Sequence, residues 1–196
     1  KLCQDECSLS IHSLNLSSDD SIKACALEIV QMKEYVTGLV NCAGKATGGI
    51  FEMTKISDIR ELFEINLFGT LLFTQFIAKK LVRQKAGSVV NIASTAGIFA
   101  DHGTLAYGTS KAAVIQLTQQ QAVELGEYGI RANCVAPGPV RTKLAMAVHS
   151  QEIIDAYHDA LPLNRYGSER EIAEVICFLA SPNASFVTGQ TVAADG

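Results

Sequence analysis

The sequence has neither a concentration of positive charge nor a cysteine pattern that would hold a metal. Its formal net charge is −4 and its lysines and arginines are scattered, so there is no basic stripe for a phosphate backbone and we expect no nucleic-acid partner. The six cysteines form no C-x-x-C pair, and none has a histidine at metal-ligand spacing. At least four of the six lie in apolar segments, where cysteine behaves as a small hydrophobic residue. We therefore expect no bound metal and a reducing, cytoplasmic compartment.

Long hydrophobic runs are also missing. No apolar run approaches the roughly eighteen residues that a membrane helix needs. The first ten residues, KLCQDECSLS, carry acids where a secretory signal peptide needs an apolar stretch, so we expect no membrane segment and no targeting peptide there. With 196 residues, 48% of them hydrophobic, the chain is long enough for one well-buried domain and short for two. Residues 1–196 are predicted to form a single domain.

Short apolar runs alternate with longer stretches of helical period. The predicted strands are 8–14, 37–41, 88–93, 130–136 and 188–196. The predicted helices run from Ser17–Asp20 to Tyr35, over 54–84 with a break near Asn66, over 105–128, and over 168–180 behind an S-E-R-E capping box. The strands are continuously apolar, which is typical of a parallel sheet covered on both faces by helices. The predicted fold is therefore α/β, with a doubly wound parallel sheet.

Small and polar residues follow three consecutive predicted strands. They are Asn41-Cys42-Ala43-Gly44, then Ser94, then the segment 137–142 with the sequence PGPVRT. In an open parallel sheet ligands bind beyond the carboxyl ends of the strands, so this rim is the expected ligand site. Taken singly, each feature also has an ordinary structural explanation: a tight turn for NCAG, a helix cap for Ser94, and a loop for Pro137-Gly138.

Tyr107 and Lys111 lie four residues apart, and Ser94 precedes the tyrosine by thirteen residues. Residues i and i+4 share one face of a helix, so the ammonium can stand beside the phenol and favour its ionised form. We therefore expect Lys111 to lower the pKa of Tyr107 from its ordinary value near ~10. A phenol, an ammonium and a hydroxyl brought together are the parts of a proton-donating carbonyl site. Alone, the Y-x-x-x-K spacing is weak, because any surface helix can carry it by chance.

The motifs occur in an order that strengthens this interpretation. They are Asn41-x-Ala43-Gly44, Asn66 in EINLFGT, Ser94 in NIAST, Tyr107-x-x-x-Lys111, Pro137-Gly138 with Thr142, and the ending TGQTVAADG. This series, over essentially the whole chain, resembles that of the short-chain dehydrogenase/reductases. One local departure is Cys42, where the family commonly has a second asparagine. The resemblance implies a Rossmann-like fold and hydride transfer between NAD or NADP and a carbonyl or secondary-alcohol substrate.

The resemblance also implies a catalytic role for four residues. Tyr107 is the expected general acid for carbonyl reduction, and the base in the reverse direction. Lys111 is expected to stabilise the phenolate and to hold the nicotinamide ribose, and Ser94 to donate a hydrogen bond to the reacting oxygen. Asn66 is expected to hold a water that connects Lys111 to solvent. For Asn66 an equally good explanation from the sequence is a cap between two helices.

The same resemblance implies the cofactor contacts. The backbone around Val140 and the Thr142 hydroxyl, next to Pro137 and Gly138, are expected at the nicotinamide carboxamide. Asn41, Ala43 and Gly44 are expected along the adenosine side.

Members of the family begin with a strand, a glycine-rich turn and a helix, followed by a second strand. Nothing before Gly44 in this sequence resembles that turn. We therefore expect residues 1–196 to lack the first βαβ portion and to belong to a product longer by about forty to fifty residues. The alternative is an inactive truncated form that does not hold the cofactor, because pyrophosphate is normally anchored by that turn and the helix after it.

The substrate is left open by the sequence. The segment 143–161 is amphipathic and follows the cofactor loop, so it is a candidate lid, and Ile98, Phe99 and Leu105 suggest a partly apolar pocket. The closest patterns are those of 3-oxoacyl-carrier-protein reductases and of sugar-alcohol and ring-diol dehydrogenases. Binding of a carrier protein would favour basic residues around the entrance to the site, and the candidates are Lys79, Lys80, Arg83 and Lys85. His102 and His149 are weaker candidates for substrate contact.

Two further alternatives concern the class of protein. A family member that has kept the fold as a binding or regulatory protein would not need all four catalytic residues, and an unrelated doubly wound hydrolase would need a G-x-S-x-G motif, which the sequence lacks. The resemblance implies a dimer or tetramer. Apolar residues on more than one face of the predicted helices agree with a homo-oligomer: Leu71, Leu72, Phe76, Val114 and Leu117.

Overall fold

The computed structural model describes residues 9–148 and 150–196, and these fold around a parallel sheet of four strands. The strands are β1 (Gly38–Asn41), β2 (Gly87–Ile92), β3 (Ile130–Pro137) and β4 (Thr191–Ala194). They are hydrogen-bonded in the order β1-β2-β3-β4 and all pairs are parallel. The carboxyl ends of the four strands therefore meet at one edge of the sheet.

Helices cover both faces of this sheet. They are α1 (Asp19–Gln31), α2 (Ile56–Phe63), α3 (Thr70–Gln84), α4 (Leu105–Leu125), α5 (Lys143–Val148), α6 (Gln151–Ala160) and α7 (Glu169–Ala180). Val89 of β2 packs in a core cluster with residues of α1 and α3, whereas its neighbour Val90 packs against α7 on the opposite face. Both valines are fully buried. The prediction of a doubly wound parallel sheet is confirmed.

The predicted break near Asn66 is a local widening of the helix and not an end. A π-helical segment, Glu64–Gly69, joins α2 directly to α3, so the chain is helical from Ile56 to Gln84. The capping explanation for Asn66 is therefore wrong. This continuous helix is long and apolar enough to pass a length-and-composition test for a membrane span, but half of its apolar window is buried inside the protein. That burial is the pattern of a core helix.

The N-terminal region differs from the prediction in two places. The described part of the predicted strand 8–14 forms no strand, and the apolar side chains of Leu9 and Ile11 are 84% and 86% exposed. A strand needs a neighbour for its backbone groups, and within the described sheet β1 pairs only with β2. Helix α1 ends at Gln31, four residues before the predicted end, since the backbone leaves the helical conformation at Met32. Lys80 Nζ donates to the carbonyl oxygens of Ile29 and Met32 and so stabilises this end.

The other elements lie within a few residues of their predicted bounds. Helix α4 ends at Leu125 and passes into a short 3₁₀ turn at 126–128. The predicted capping box is present at the start of α7, where the Ser168 hydroxyl accepts from the Glu171 backbone N–H and the Glu171 carboxylate accepts from the Ser168 backbone N–H. Elements with strong periodicity or explicit caps were therefore the predictable ones.

Candidate active site

Ser94 and Tyr107 meet at the carboxyl edge of the sheet. Ser94 lies just after β2 and caps the 3₁₀ turn Thr95–Gly97, its hydroxyl oxygen accepting from the Ala96 backbone N–H at 3.2 Å. Tyr107 is on the first turn of α4. The cap uses an acceptor lone pair of the Ser94 hydroxyl and leaves its proton free to be donated. Ser94 is thus both the predicted cap and a hydrogen-bond donor aimed at the site.

Burial raises the pKa of Tyr107 above its ordinary value, and a side-chain hydrogen bond with Ser94 acts in the opposite direction. The predicted net lowering of the Tyr107 pKa is therefore wrong, because desolvation is the largest effect, whereas the stabilising effect of Lys111 on the phenolate stays a prediction. A phenol with a raised pKa is protonated at neutral pH. It is in the state that can give a proton to a carbonyl oxygen.

Lys111 lies one turn further along α4 and is 5% exposed. Its Nζ donates to the Ile92 carbonyl oxygen at 2.8 Å and stands 5.8 Å from the centroid of the Tyr107 ring. Burial lowers the pKa of Lys111, while the thiols of Cys134 and Cys42 act in the opposite direction. The predicted one-turn spacing therefore does bring the ammonium beside the phenol ring.

Asn66 is 2% exposed and holds the loop that follows β1. Its Oδ1 accepts from the Lys45 backbone N–H at 2.8 Å, and its Nδ2 donates to the Lys45 carbonyl oxygen at 2.9 Å and to the Ser110 hydroxyl at 3.0 Å. Both amide hydrogens are thereby used. The predicted water contact of Asn66 with Lys111 stays a prediction, and the structure adds a role in fixing the loop.

Gly44 brings the loop after β1 against these two side chains. A Cβ built on Gly44 would lie 3.2 Å from Asn66 Oδ1 and 3.3 Å from Lys111 Nζ, tighter than most real contacts. The glycine therefore allows a close approach that a larger residue would disturb. Ala43 and Gly44 are both exposed at the rim, where the sequence predicts the cofactor.

Asn41 points into a buried polar network below the rim. Its Nδ2 donates to Thr74 Oγ1 at 2.9 Å and to Asn91 Oδ1 at 2.8 Å, and Asn91 Nδ2 in turn donates to Thr118 and Gln121 of α4. The network ties β1 and β2 to α3 and α4. The amide donors of Asn41 thus contact the protein, and its predicted cofactor contact stays a prediction.

The loop after β3 completes the site. A cavity of about 580 Å³ is lined by Ser94 and Tyr107 and by residues of this loop, among them Gly138, Pro139, Val140 and Thr142. Pro137 ends β3, and its carbonyl oxygen accepts from the Thr95 hydroxyl at 3.3 Å. The structure thereby gathers the predicted nicotinamide-side residues around Ser94 and Tyr107.

The cavity includes residues that the sequence did not single out. Asp101, from the loop before α4, and Tyr157, from α6, both line it. Tyr157 lies in the predicted lid segment, and Phe99 was among the predicted apolar lining residues. Asp101 could not have been identified from the sequence, because a single acidic residue in a loop has no motif spacing. Phe99 is 64% exposed and lines the cavity as predicted.

Other substrate candidates lie elsewhere. His102, Ile98 and Leu105 line a neighbouring cavity of about 520 Å³, and His149 is outside the described residues. The basic group Lys79–Lys85 is at the end of α3 that leads into the start of β2, the opposite end of the strand from Ser94. It does not form a basic mouth to this site.

The residues present fit a nicotinamide. A side chain at position 138 would clash, because a Cβ on Gly138 would lie 2.8 Å from the backbone Cα of Asp195. The loop after β3 therefore passes close to the end of β4 and leaves the space in front of Ser94 and Tyr107 open. A flat ring fits in this space beside Val140 and Thr142.

Comparison with known proteins agrees with this geometry. The sequence model of the family described as enoyl-(acyl carrier protein) reductase matches residues 2–196. The 3-oxoacyl-[acyl-carrier-protein] reductase of Aquifex aeolicus is 37% identical over 183 residues, which are 93% of this chain and 73% of that protein. A solved short chain dehydrogenase/reductase family protein is 36% identical with a TM-score of 0.86, over 93% of this chain and 73% of that one. ElxO, solved with NADP bound, is 30% identical with a TM-score of 0.90, over 95% and 77%.

Proposed function

The chain belongs to the short-chain dehydrogenase/reductase family and is an NAD(P)-dependent oxidoreductase, and from this premise we propose that Tyr107 is its general acid and base. The observation that carries the proposal is that Ser94 and Tyr107 line one cavity and share a hydrogen bond, with the buried Lys111 ammonium beside the Tyr107 ring. Asn66, Ser94, Tyr107 and Lys111 all being present argues against a silent family member kept only for binding.

The cofactor, when bound, supplies or accepts the hydride. The chain itself has to bind the substrate oxygen and move a proton. The Tyr107 phenol, protonated at neutral pH because burial raises its pKa, gives its proton to the carbonyl oxygen as negative charge develops there. In the oxidation direction the phenolate takes the proton from the alcohol, so that direction is favoured as pH rises toward the pKa of Tyr107.

Ser94 stabilises the same oxygen. The Ser94 hydroxyl oxygen accepts a hydrogen bond from the Ala96 backbone N–H, so the hydroxyl proton points away from the turn. A donor held in place before the reaction does not have to reorganise during it, which is where this kind of stabilisation is most effective. Lys111, fixed by the Ile92 carbonyl oxygen, supplies positive charge beneath the Tyr107 ring and is available to the nicotinamide ribose.

We further propose that the substrates are 3-oxoacyl thioesters. Support comes from the relatives, since the Aquifex protein is a 3-oxoacyl-[acyl-carrier-protein] reductase of 37% identity. The lining of the cavity agrees, because Ala46, Phe99 and Ala145 provide an apolar surface for an acyl chain.

A direct test is consumption of reduced nicotinamide by the complete protein, with NADH and NADPH supplied separately. The panel contains an acetoacetyl thioester of N-acetylcysteamine, a cyclic ketone and a keto sugar. We expect turnover with the thioester to exceed that with the other two. Binding of the cofactor without turnover of any carbonyl would support the binding-protein alternative, and preference for the keto sugar would favour a sugar-alcohol dehydrogenase.

A further inference from the structure

Among the described residues that line the active-site cavity, Asp101 is the one with an acidic or basic side chain, and the rest are apolar, hydroxyl-bearing or glycine. The buried Lys111, beside the Tyr107 ring, is not among these lining residues. Arg141, on the loop after β3, is exposed and does not line the cavity, although Val140 and Thr142 on either side of it do. The described wall that faces a substrate therefore carries one negative charge, from the exposed Asp101 carboxylate.

The carboxylate of Asp101 is held in position by its own loop. One oxygen accepts from the His102 backbone N–H at 2.7 Å, and the Asp101 carbonyl oxygen accepts from the Thr104 hydroxyl at 2.8 Å. Thr104 directly precedes α4, the helix that carries Tyr107. The charge is thus tied to the element that presents the general acid.

Helix α6, in the candidate lid segment, brings a second side chain to the same cavity. Tyr157 of α6 lines the cavity, and the negative charge of Asp101 contributes to a raised pKa of Tyr157, after burial. The carboxylate therefore lies close enough to the lid to act on groups that enter between α6 and the loop before α4. A substrate reaching Ser94 and Tyr107 from this side passes the Asp101 carboxylate.

We propose that Asp101 is a specificity-determining residue that excludes substrates with an anionic group near the reacting carbonyl. The inference rests on the proposed carbonyl reduction and narrows its substrate class. A 3-oxoacyl thioester or ester is neutral around the ketone and is accepted, whereas the corresponding free 3-oxo acid carries a carboxylate two carbons from the ketone carbon and is repelled. A hydroxyl or amine at the same place would donate to the Asp101 carboxylate.

Two like charges in one partly solvated cavity repel by an amount that corresponds to about a 5- to 30-fold change in kcat/KM. Salt screens the repulsion, because the Debye length falls from about 30 Å at 0.01 M to about 3 Å at 1 M. Preference for neutral substrates should therefore weaken at high ionic strength.

The test uses methyl acetoacetate and acetoacetate, which share the reacting ketone and differ in charge at neutral pH. The quantity measured on the complete protein is the ratio of their kcat/KM values, for the unchanged sequence and for Asp101→Asn and Asp101→Lys. We expect Asp101→Asn to lower the ester-to-acid ratio about 5- to 30-fold. Asp101→Lys should lower it further. Added salt should lower the ratio for the unchanged sequence, leave that of Asp101→Asn unchanged and raise that of Asp101→Lys.

Asp155→Asn is the matched control. It removes one negative charge from α6, where Asp155 is exposed, bonded to Gln151 and absent from the cavity lining. Its ratio should stay within about twofold of the original, since water screens a charge outside the cavity lining from a substrate inside it. Turnover of both substrates with the same ratio in Asp101→Asn would overturn this inference alone. Cofactor binding with no turnover of any carbonyl would overturn the proposed function and the inference with it.

Discussion

Gly108 of α4 lies against the backbone of Ala96, so closely that a Cβ on residue 108 would be 2.6 Å from the Ala96 carbonyl oxygen. Gly97 of the same turn also lies against α4, since a Cβ on residue 97 would be 2.7 Å from the Lys111 carbonyl carbon. The turn after Ser94 and the helix that carries Tyr107 therefore touch backbone to backbone. This contact fixes the distance between the two hydroxyl groups of the site.

Gly108→Ala is expected to separate α4 from the turn and misplace Tyr107. We expect kcat to fall roughly 10- to 100-fold, because misplacement by an ångström has effects of that size. Overpacking should also cost about 1–3 kcal/mol of unfolding free energy. The control is Gly126→Ala, at a helix end with ordinary helical dihedrals and no atom within 4 Å of the added Cβ. It should gain about 0.4–1 kcal/mol and keep full activity. Equal kinetics in the two variants would show that the contact is unimportant.

Asn66→Leu should destabilise the protein strongly. The change leaves the backbone N–H and carbonyl of Lys45 and the hydroxyl of Ser110 without their amide partner, and we expect a loss of about 2–4 kcal/mol in thermal or denaturant unfolding. Asn183→Leu, at an exposed position, should change stability by less than about 0.5 kcal/mol. Comparable small losses in both would remove Asn66 from its loop-holding role.

Lys111→Met should weaken cofactor binding at least tenfold and shift the pH dependence upward. Loss of the positive charge makes the Tyr107 phenolate less stable, so the pKa of Tyr107 rises. Oxidation should then need higher pH, and reduction should persist to higher pH. Lys79→Met is a suitable control, because Lys79 Nζ also stands over an aromatic ring, 5.1 Å from the centroid of Phe76, on an exposed helix surface. Unchanged affinity together with an unchanged pH profile would exclude Lys111 from the site.

The complete protein is predicted to be a dimer or tetramer. Of the five apolar residues singled out for this, Val114 is buried in one core cluster, and Leu72 and Phe76 pack against the separate cluster that contains Val89. Leu71 and Leu117 are half-buried and line a groove between α3 and α4. Light scattering at micromolar concentration should show an oligomer that Leu117→Glu weakens. A stable monomer before mutation would contradict the prediction.

Features that depend on local pattern were predictable from the sequence. The four described strands, the helices other than α5 and α6, and the capping box at Ser168 follow from periodicity and cap chemistry. The Ser94, Tyr107 and Lys111 set follows from spacing and motif order. The helix disturbance at Asn66 was also expected, although its form as a π-helical segment was not. Each of these is encoded within a short stretch of chain.

Features that depend on distant contacts were not predictable. The early end of α1 is stabilised by Lys80, far away in sequence, and the inward direction of Asn41 depends on Asn91 and Thr74. The direction of the Tyr107 pKa shift depends on burial, which a spacing rule does not contain. The segment 9–14 has a strand-like pattern, but pattern alone cannot supply a pairing partner.

The most direct test of the account is the Tyr107→Phe variant of the complete protein, which removes the phenolic proton and keeps the ring. Turnover with the best carbonyl substrate should fall at least a few hundredfold, as loss of a general acid does. Cofactor affinity, measured by quenching or calorimetry, should stay within about twofold, because the ring and its packing remain. A Phe variant that keeps most of its turnover would contradict the assignment of Tyr107 as the proton donor.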